Sequence, residues 1–222
     1  MFEEYPERNN LYPNLTSERL LFVHIPKNYG TSITMILFNT LGAQSHLTMS
    51  QINTMKQFEN YKGFCFVRDP VKRFVSVYLW RARKDPSIID PSKPFHTMGM
   101  VRVLEKIDNK NIQQPLKACF DDDPLLLSRM FLKQSTWVNE NVVFIGKCEN
   151  FVSDLLELKS KYDIKFSTSD ATTTAVNRQS HGIKLRTEQE FREIMKKDKK
   201  LRNQFLDYYQ EDYDRFDYKI DI

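Results

Sequence analysis

The residues able to do chemistry in this chain cluster at the ends of two short apolar runs. The first run, Arg19 to Ile25, gives way to Pro26-Lys27-Asn28-Tyr29-Gly30-Thr31-Ser32. A turn that opens a helix gathers backbone N–H groups at the positive end of the helix dipole, and Lys27 adds a full positive charge. The chemistry on offer is the holding of an anion. Gly30 permits close backbone approach, while Thr31 and Ser32 can cap the helix and donate hydroxyl hydrogen bonds. By spacing alone, the same residues also fit a capped helix start with a solvated lysine. The second run, Gly63 to Val67, delivers Arg68 into a turn, followed by Asp69, Pro70 and a helix bearing Ser76. An arginine there suits a fork-like grip on a phosphate, and the competing reading is a salt bridge to Asp69 or another acid.

The elements that must position these groups follow from the apolar pattern. Arg19 to Ile25 reads as a strand stopped by Pro26, and Thr31 to Leu41 as a helix with Gly42 as its stop. Thr48 to Phe58 is a second helix. Gly63 to Val67 reads as a buried parallel strand, and the segment from Pro70 as its following helix, with Val71, Phe74, Val75, Tyr78 and Leu79 on the apolar face. Residues 84–123, punctuated by four prolines, break the rhythm as an irregular insert expected to shape a ligand cleft. Pro124 to Leu132 reads as a helix, Asn141 to Ile145 as a strand, Glu149 to Tyr162 as a helix and 163–186 as a long Ser/Thr-rich loop. The last third is helical and amphipathic, with an aromatic tail. Strands alternating with helices predict one α/β domain over residues 1–222, built on a central, mostly parallel sheet flanked by helices. In such sheets ligands bind at the carboxyl ends of the strands, where both loops belong.

Together the two loops resemble the sulfotransferases that use 3′-phosphoadenosine 5′-phosphosulfate, in the branch that includes heparan and other carbohydrate O-sulfotransferases. That resemblance implies a three-layer domain like that of the P-loop nucleotide triphosphatases. The family's first motif is typically hIPKTaGTS-like and stands here as His24-Ile25-Pro26-Lys27-Asn28-Tyr29-Gly30-Thr31-Ser32, with Asn28 and Tyr29 replacing the usual small residues. The second, VRDPxxRxxSxY, is matched in full by Val67, Arg68, Asp69, Pro70, Arg73, Ser76 and Tyr78. A third stretch, Val143 to Asn150, is similar to the family's FIGRFEN segment, with Lys147 and Cys148 as departures. The ending Tyr209, Asp212, Tyr213, Phe216 and Tyr218 resembles the way these domains close. The resemblance implies that Lys27 and the amides and hydroxyls of Asn28, Tyr29, Gly30, Thr31 and Ser32 hold the 5′-phosphosulfate. It further implies that Arg68 and Ser76 hold the 3′-phosphate, with Arg178 adding a contact and Lys184 and Arg186 as its competitors.

The implied reaction is in-line sulfuryl transfer, with adenosine 3′,5′-bisphosphate as co-product. The transferred group carries less charge than a phosphoryl group, so oriented amides and protein cations can stabilise it and no metal is expected. Lys27 is the natural group to meet charge building on the leaving bridging oxygen. An acceptor hydroxyl needs a base, a role that suits a histidine. His46 is favoured, because it follows the first helix and precedes the helix leading to the Arg68 strand. In the related heparan sulfate 2-O-sulfotransferases a catalytic histidine lies similarly between the two motifs. His24 reads as a packed residue in the first strand, His96 lies in the insert, His181 follows Arg178, and Glu149 is an acidic alternative to a histidine base.

Composition sets the outer limits. The 222 residues are 41% hydrophobic and 28% charged with six Gly, which excludes collagen-like and disordered classes. Three Cys and four His without paired spacing give no zinc or disulfide framework. A net charge of +4 agrees with an anionic ligand and is far from a nucleic-acid-binding signature. No apolar run is long enough to span a membrane and no signal peptide is evident, so a cytoplasmic location is expected. The acceptor is expected to be a hydroxylated carbohydrate or small metabolite. The rivals are a P-loop nucleotide kinase, disfavoured because G-x-x-x-x-G-K-[ST] is absent, and a polyanion-binding module without activity.

Overall fold

The computed structural model describes residues 19–39, 46–84, 129–166 and 181–222. They belong to two compact units, one containing residues up to Arg68 together with Gln134–Gln179, the other Asp69–Lys133 with Ser180–Ile222. The insert expected at 84–123 lies, apart from Lys84, outside the described residues, as do His96 and Arg178.

The first unit is an α/β layer structure. Strands β1 (Leu20–Phe22), β2 (Lys62–Val67) and β3 (Val142–Lys147) form a parallel sheet in the order β1-β2-β3. Register pairs Leu20 with Lys62 and Phe22 with Phe64 on one side of β2, and Phe64 with Phe144 and Val67 with Lys147 on the other. The first strand is shorter than the expected Arg19 to Ile25. Val23 still donates to the Phe64 carbonyl, but Ile25 bonds back to Val23 as the chain turns into the loop. Helix α1 (Gly30–Phe38) ends at Asn39 in the left-handed conformation, several residues before Gly42. Helix α2 (Met49–Asn53) begins with the capping box that Thr48 and Gln51 encode, then gives way to a 3-10 turn at Lys56–Phe58 rather than running on to Phe58. Helix α4 (Phe151–Tyr162) follows β3 after a 3-10 turn at Cys148–Asn150. Ile33 and Ile36 of α1 and Leu155 and Leu158 of α4 bury against Phe22, Phe64, Phe66 and Phe144 of the sheet. β2, the central strand, is buried from Gly63 to Val67, as its continuous apolar run requires.

The second unit is helical. Helix α3 (Pro70–Lys84), a 3-10 turn at Arg129–Phe131, α5 (His181–Lys197) and α6 (Lys199–Arg215) surround Phe74, Phe131, Phe191, Phe205 and Tyr209. Of the expected helix Pro124 to Leu132, residues 124–128 lie outside the described residues and the described end forms the 3-10 turn Arg129–Phe131, while residues 181–186, expected to be loop, are the first turns of α5. The helical period of Phe191, Ile194 and Met195 extends further N-terminally than the Ser/Thr-rich composition suggested. The aromatic tail is core: Tyr209 is buried and its hydroxyl donates to the Phe131 carbonyl at 2.7 Å. Burial pushes the Tyr78 and Tyr208 phenols up to about 12.

Asp69 and Arg73 of the second motif are architectural within this unit. Asp69 accepts from the Lys72 amide at 2.8 Å, which caps α3, and pairs with Arg192 at 3.3 Å. Arg73, only 1% exposed, donates to the Met130 and Leu132 carbonyls at 2.6 and 2.8 Å. Arg73→Met would leave the buried Leu132 carbonyl and the part-buried Met130 carbonyl short of this donor, at about 1–3 kcal/mol for the buried one, so its denaturation midpoint is expected to fall by several degrees. An unchanged midpoint would remove Arg73 from the framework.

Candidate active site

The loop after β1 is held in an unusual backbone shape. Lys27 and Tyr29 both sit in the left-handed region, with φ of 68° and 59°. For residues with a side chain each costs about 1–2 kcal/mol, so surrounding contacts must impose it. Asn28, between them, supplies those contacts. It is 1% exposed, and its Nδ2 donates to the Phe66 carbonyl at 2.8 Å and to Gln134 Oε1 at 2.7 Å. Its own amide turns back to the Ile25 carbonyl at 3.4 Å. Asn28 therefore faces inward and shapes the loop, which is the physical content of its departure from the usual small residue. Tyr29 packs edge-on against Phe151, with ring centroids 5.0 Å apart, and burial raises its phenol pKa.

Helix α1 starts with Gly30 immediately after this loop. Its N-cap is Tyr29 in the left-handed conformation and no side chain caps it. Thr31 and Ser32, expected as caps, are instead the second and third residues of the helix. Seen from inside the first turn, their contribution is amide N–H groups without intrahelical acceptors. Gly30 also has a packing role beside the close backbone approach expected of it. Its φ is not positive, and a Cβ there would lie 1.8 Å from His24 Nε2. The space a side chain would need is filled by the His24 ring.

His24 lies just past β1 and packs under the loop, its ring stacked 5.6 Å from Phe22 and 4.3 Å from the His46 ring. Burial first, then the neighbouring His46 and Lys27 charges, hold its imidazole well below the usual histidine value, so it is neutral at pH 7. Its Nδ1 is buried without a hydrogen-bond partner among the described residues. His46 is half-buried and its Nδ1 lies 3.2 Å from the His24 carbonyl. A carbonyl only accepts, so this bond places the proton on Nδ1 and the basic lone pair on Nε2. Trp137, fully buried, donates to the His46 carbonyl at 3.3 Å and anchors its backbone. Glu149, the acidic alternative, is exposed on the turn after β3.

Arg68 leaves β2 beside the same loop. It is 8% exposed, its Nη1 reaches the Lys27 carbonyl at 3.5 Å, and its guanidinium stands 6.0 Å from the Tyr29 ring centroid. Among the described residues no carboxylate pairs with it. A buried guanidinium held by a weak carbonyl bond and a ring face keeps N–H donors with which an anion could be gripped. The structure thus brings together Lys27, Gly30, Thr31, Ser32, Arg68, His24 and His46 within the first unit. Ser76 stands half-buried on α3 of the second unit. Gln134 is a residue that sequence reasoning missed. It stands in a plain polar run, and only its long-range bonds to Asn28 and Arg68 reveal it.

No helix among the described residues is long and apolar enough to cross a membrane. A family profile described as Sulfotransferase family matches residues 15–219. No curated protein and no solved structure matches the chain.

Proposed function

The chain belongs to the sulfotransferase family, and on that premise we propose that it moves a sulfuryl group from 3′-phosphoadenosine 5′-phosphosulfate to a hydroxyl of a carbohydrate or small-molecule acceptor, with His46 as the base. The observation that carries this reading is the buried Arg68 guanidinium, without a carboxylate partner among the described residues, beside the uncapped start of α1. A donor with two separated anionic groups fits two such anion receptors on neighbouring loops.

In this reading the donor, when bound, supplies the activated sulfuryl group. Lys27 and the amides of Gly30, Thr31 and Ser32 hold its 5′ end and meet the charge that develops on the leaving oxygen. Asn28 and Tyr29 contribute the loop shape that aims these groups. Arg68 grips the 3′-phosphate. The assignments of Ser76 to that phosphate and of Arg178 to the nucleotide rest on the sequence resemblance. His46 Nε2 takes the proton of the acceptor hydroxyl, while the bond from Nδ1–H to the His24 carbonyl keeps the ring in the tautomer that can do so.

A thermal-shift titration with adenosine 3′,5′-bisphosphate, beside ATP with and without Mg²⁺, tests the reading. At about a hundred times its dissociation constant a ligand adds roughly 2.7 kcal/mol, a rise of several degrees for a chain of this length. The bisphosphate should give that rise without metal. A response to ATP with Mg²⁺ alone would favour nucleotide phosphoryl transfer instead.

A further inference from the structure

Gln134 occupies a position that no motif of the chain explains. It stands in the 3-10 turn Gln134–Trp137 and is 0% exposed. Its Oε1 accepts from the Asn28 side chain at 2.7 Å and from the Arg68 amide at 2.9 Å, while its Nε2 donates to the Arg68 carbonyl at 2.8 Å. One side-chain amide therefore holds Arg68 by both its backbone groups and holds Asn28 by its side chain. Asn28 in turn bonds the Phe66 carbonyl, two residues before Arg68. Among the described residues, the guanidinium's own contacts with the first loop are loose: 3.5 Å to the Lys27 carbonyl and 6.0 Å to the Tyr29 ring centroid. In a buried setting short amide bonds of this kind are geometrically stiff, so the position of Arg68 relative to the Lys27–Tyr29 turn is set through Gln134.

We propose that Gln134 is a positioning residue that couples the two anion-holding loops, so that a nucleotide carrying both a 5′ and a 3′ phosphate gains the full benefit of the second phosphate only while Gln134 joins them. This rests on the donor reading above. It assigns to Gln134 a role in spacing rather than in contact with the ligand. A two-point ligand binds best when its two receptors are held at the matching distance, and freedom between them must be lost again on binding.

Calorimetric titration of adenosine 5′-monophosphate, adenosine 3′-monophosphate and adenosine 3′,5′-bisphosphate into the wild type and Gln134→Leu reads the coupling directly. The expected result is that each monophosphate keeps its affinity within a few-fold, whereas the advantage of the bisphosphate over either falls about tenfold or more. Gln134→Met, which removes the same three bonds with a side chain of similar length and leaves the Asn28 bond to the Phe66 carbonyl in place, should show the same selective loss and serves if Gln134→Leu does not fold. A lowered melting temperature with the bisphosphate advantage intact would overturn the proposal and leave Gln134 a packing residue. A wild type that binds the bisphosphate no better than the monophosphates would instead overturn the donor reading, and the coupling with it.

Discussion

His46→Ala is expected to lower kcat at least about a hundredfold while leaving the affinity for adenosine 3′,5′-bisphosphate within a few-fold of wild type. The split between kcat and nucleotide binding follows from the geometry. In the proposed site the groups assigned to the nucleotide are the first turn of α1, Lys27 and Arg68, whereas His46 is held apart from them by the His24 and Trp137 contacts to its ring and backbone. Removing the imidazole takes away the proton acceptor and leaves the loop hydrogen bonds through Asn28 and Gln134 in place. Added imidazole should restore part of the rate, because the cavity opened by the substitution lies where the Nε2 lone pair was. Sulfate transfer followed with labelled donor measures both effects. Near-normal turnover in this variant would remove His46 as the base and direct attention to Glu149, whose exposure leaves it open to solvent.

The second large effect is expected at Gly30. An added Cβ would meet His24 Nε2 at 1.8 Å, Cδ2 at 2.1 Å and Cε1 at 2.6 Å, far inside any contact distance. Either the imidazole or the start of α1 must move, and both are part of the site. Gly30→Ala should therefore abolish most activity and lower the melting temperature by several degrees, in line with about 1–3 kcal/mol or more for overpacking. The cause is specific enough to be tested by relief. His24→Ala in the same chain removes the colliding ring, so the double variant should be more stable than Gly30→Ala alone, a strong departure from additivity. Additive losses in the double variant would show that the glycine is needed for something other than the room it leaves to His24.

The motif arithmetic of the chain was informative where the relevant groups are neighbours in sequence. A strand ending in a lysine loop, an arginine after a second strand, and the order of those units could be read from local pattern, because side-chain alternation and helix starts depend on residues a few positions apart. The parallel sense of the sheet also followed from strand–helix alternation, whereas the order β1-β2-β3 is set by tertiary pairing. Element ends were read less well. The 3-10 turn at Lys56–Phe58 and the helical start of α5 depend on packing that composition does not record.

The fine structure of the site belongs to tertiary contacts. Nothing in the run around Gln134 distinguishes it from a surface glutamine; its value comes from meeting Asn28, 106 positions earlier, and Arg68, 66 positions earlier. The glycine of the first motif reads in sequence as permitting close backbone approach, and only folding shows that a side chain there would also collide with His24. Asn28, which looks like a loop residue facing the anion, turns inward because a buried carbonyl and Gln134 offer its amide two acceptors. By itself, then, the sequence determined which charged and basic groups are present and on which kind of turn each sits, since those properties are local. Which of them touch, which nitrogen of His46 carries the proton and what holds Arg68 in place were decided only when distant segments closed on one another, because hydrogen bonding and steric exclusion act between neighbours in space.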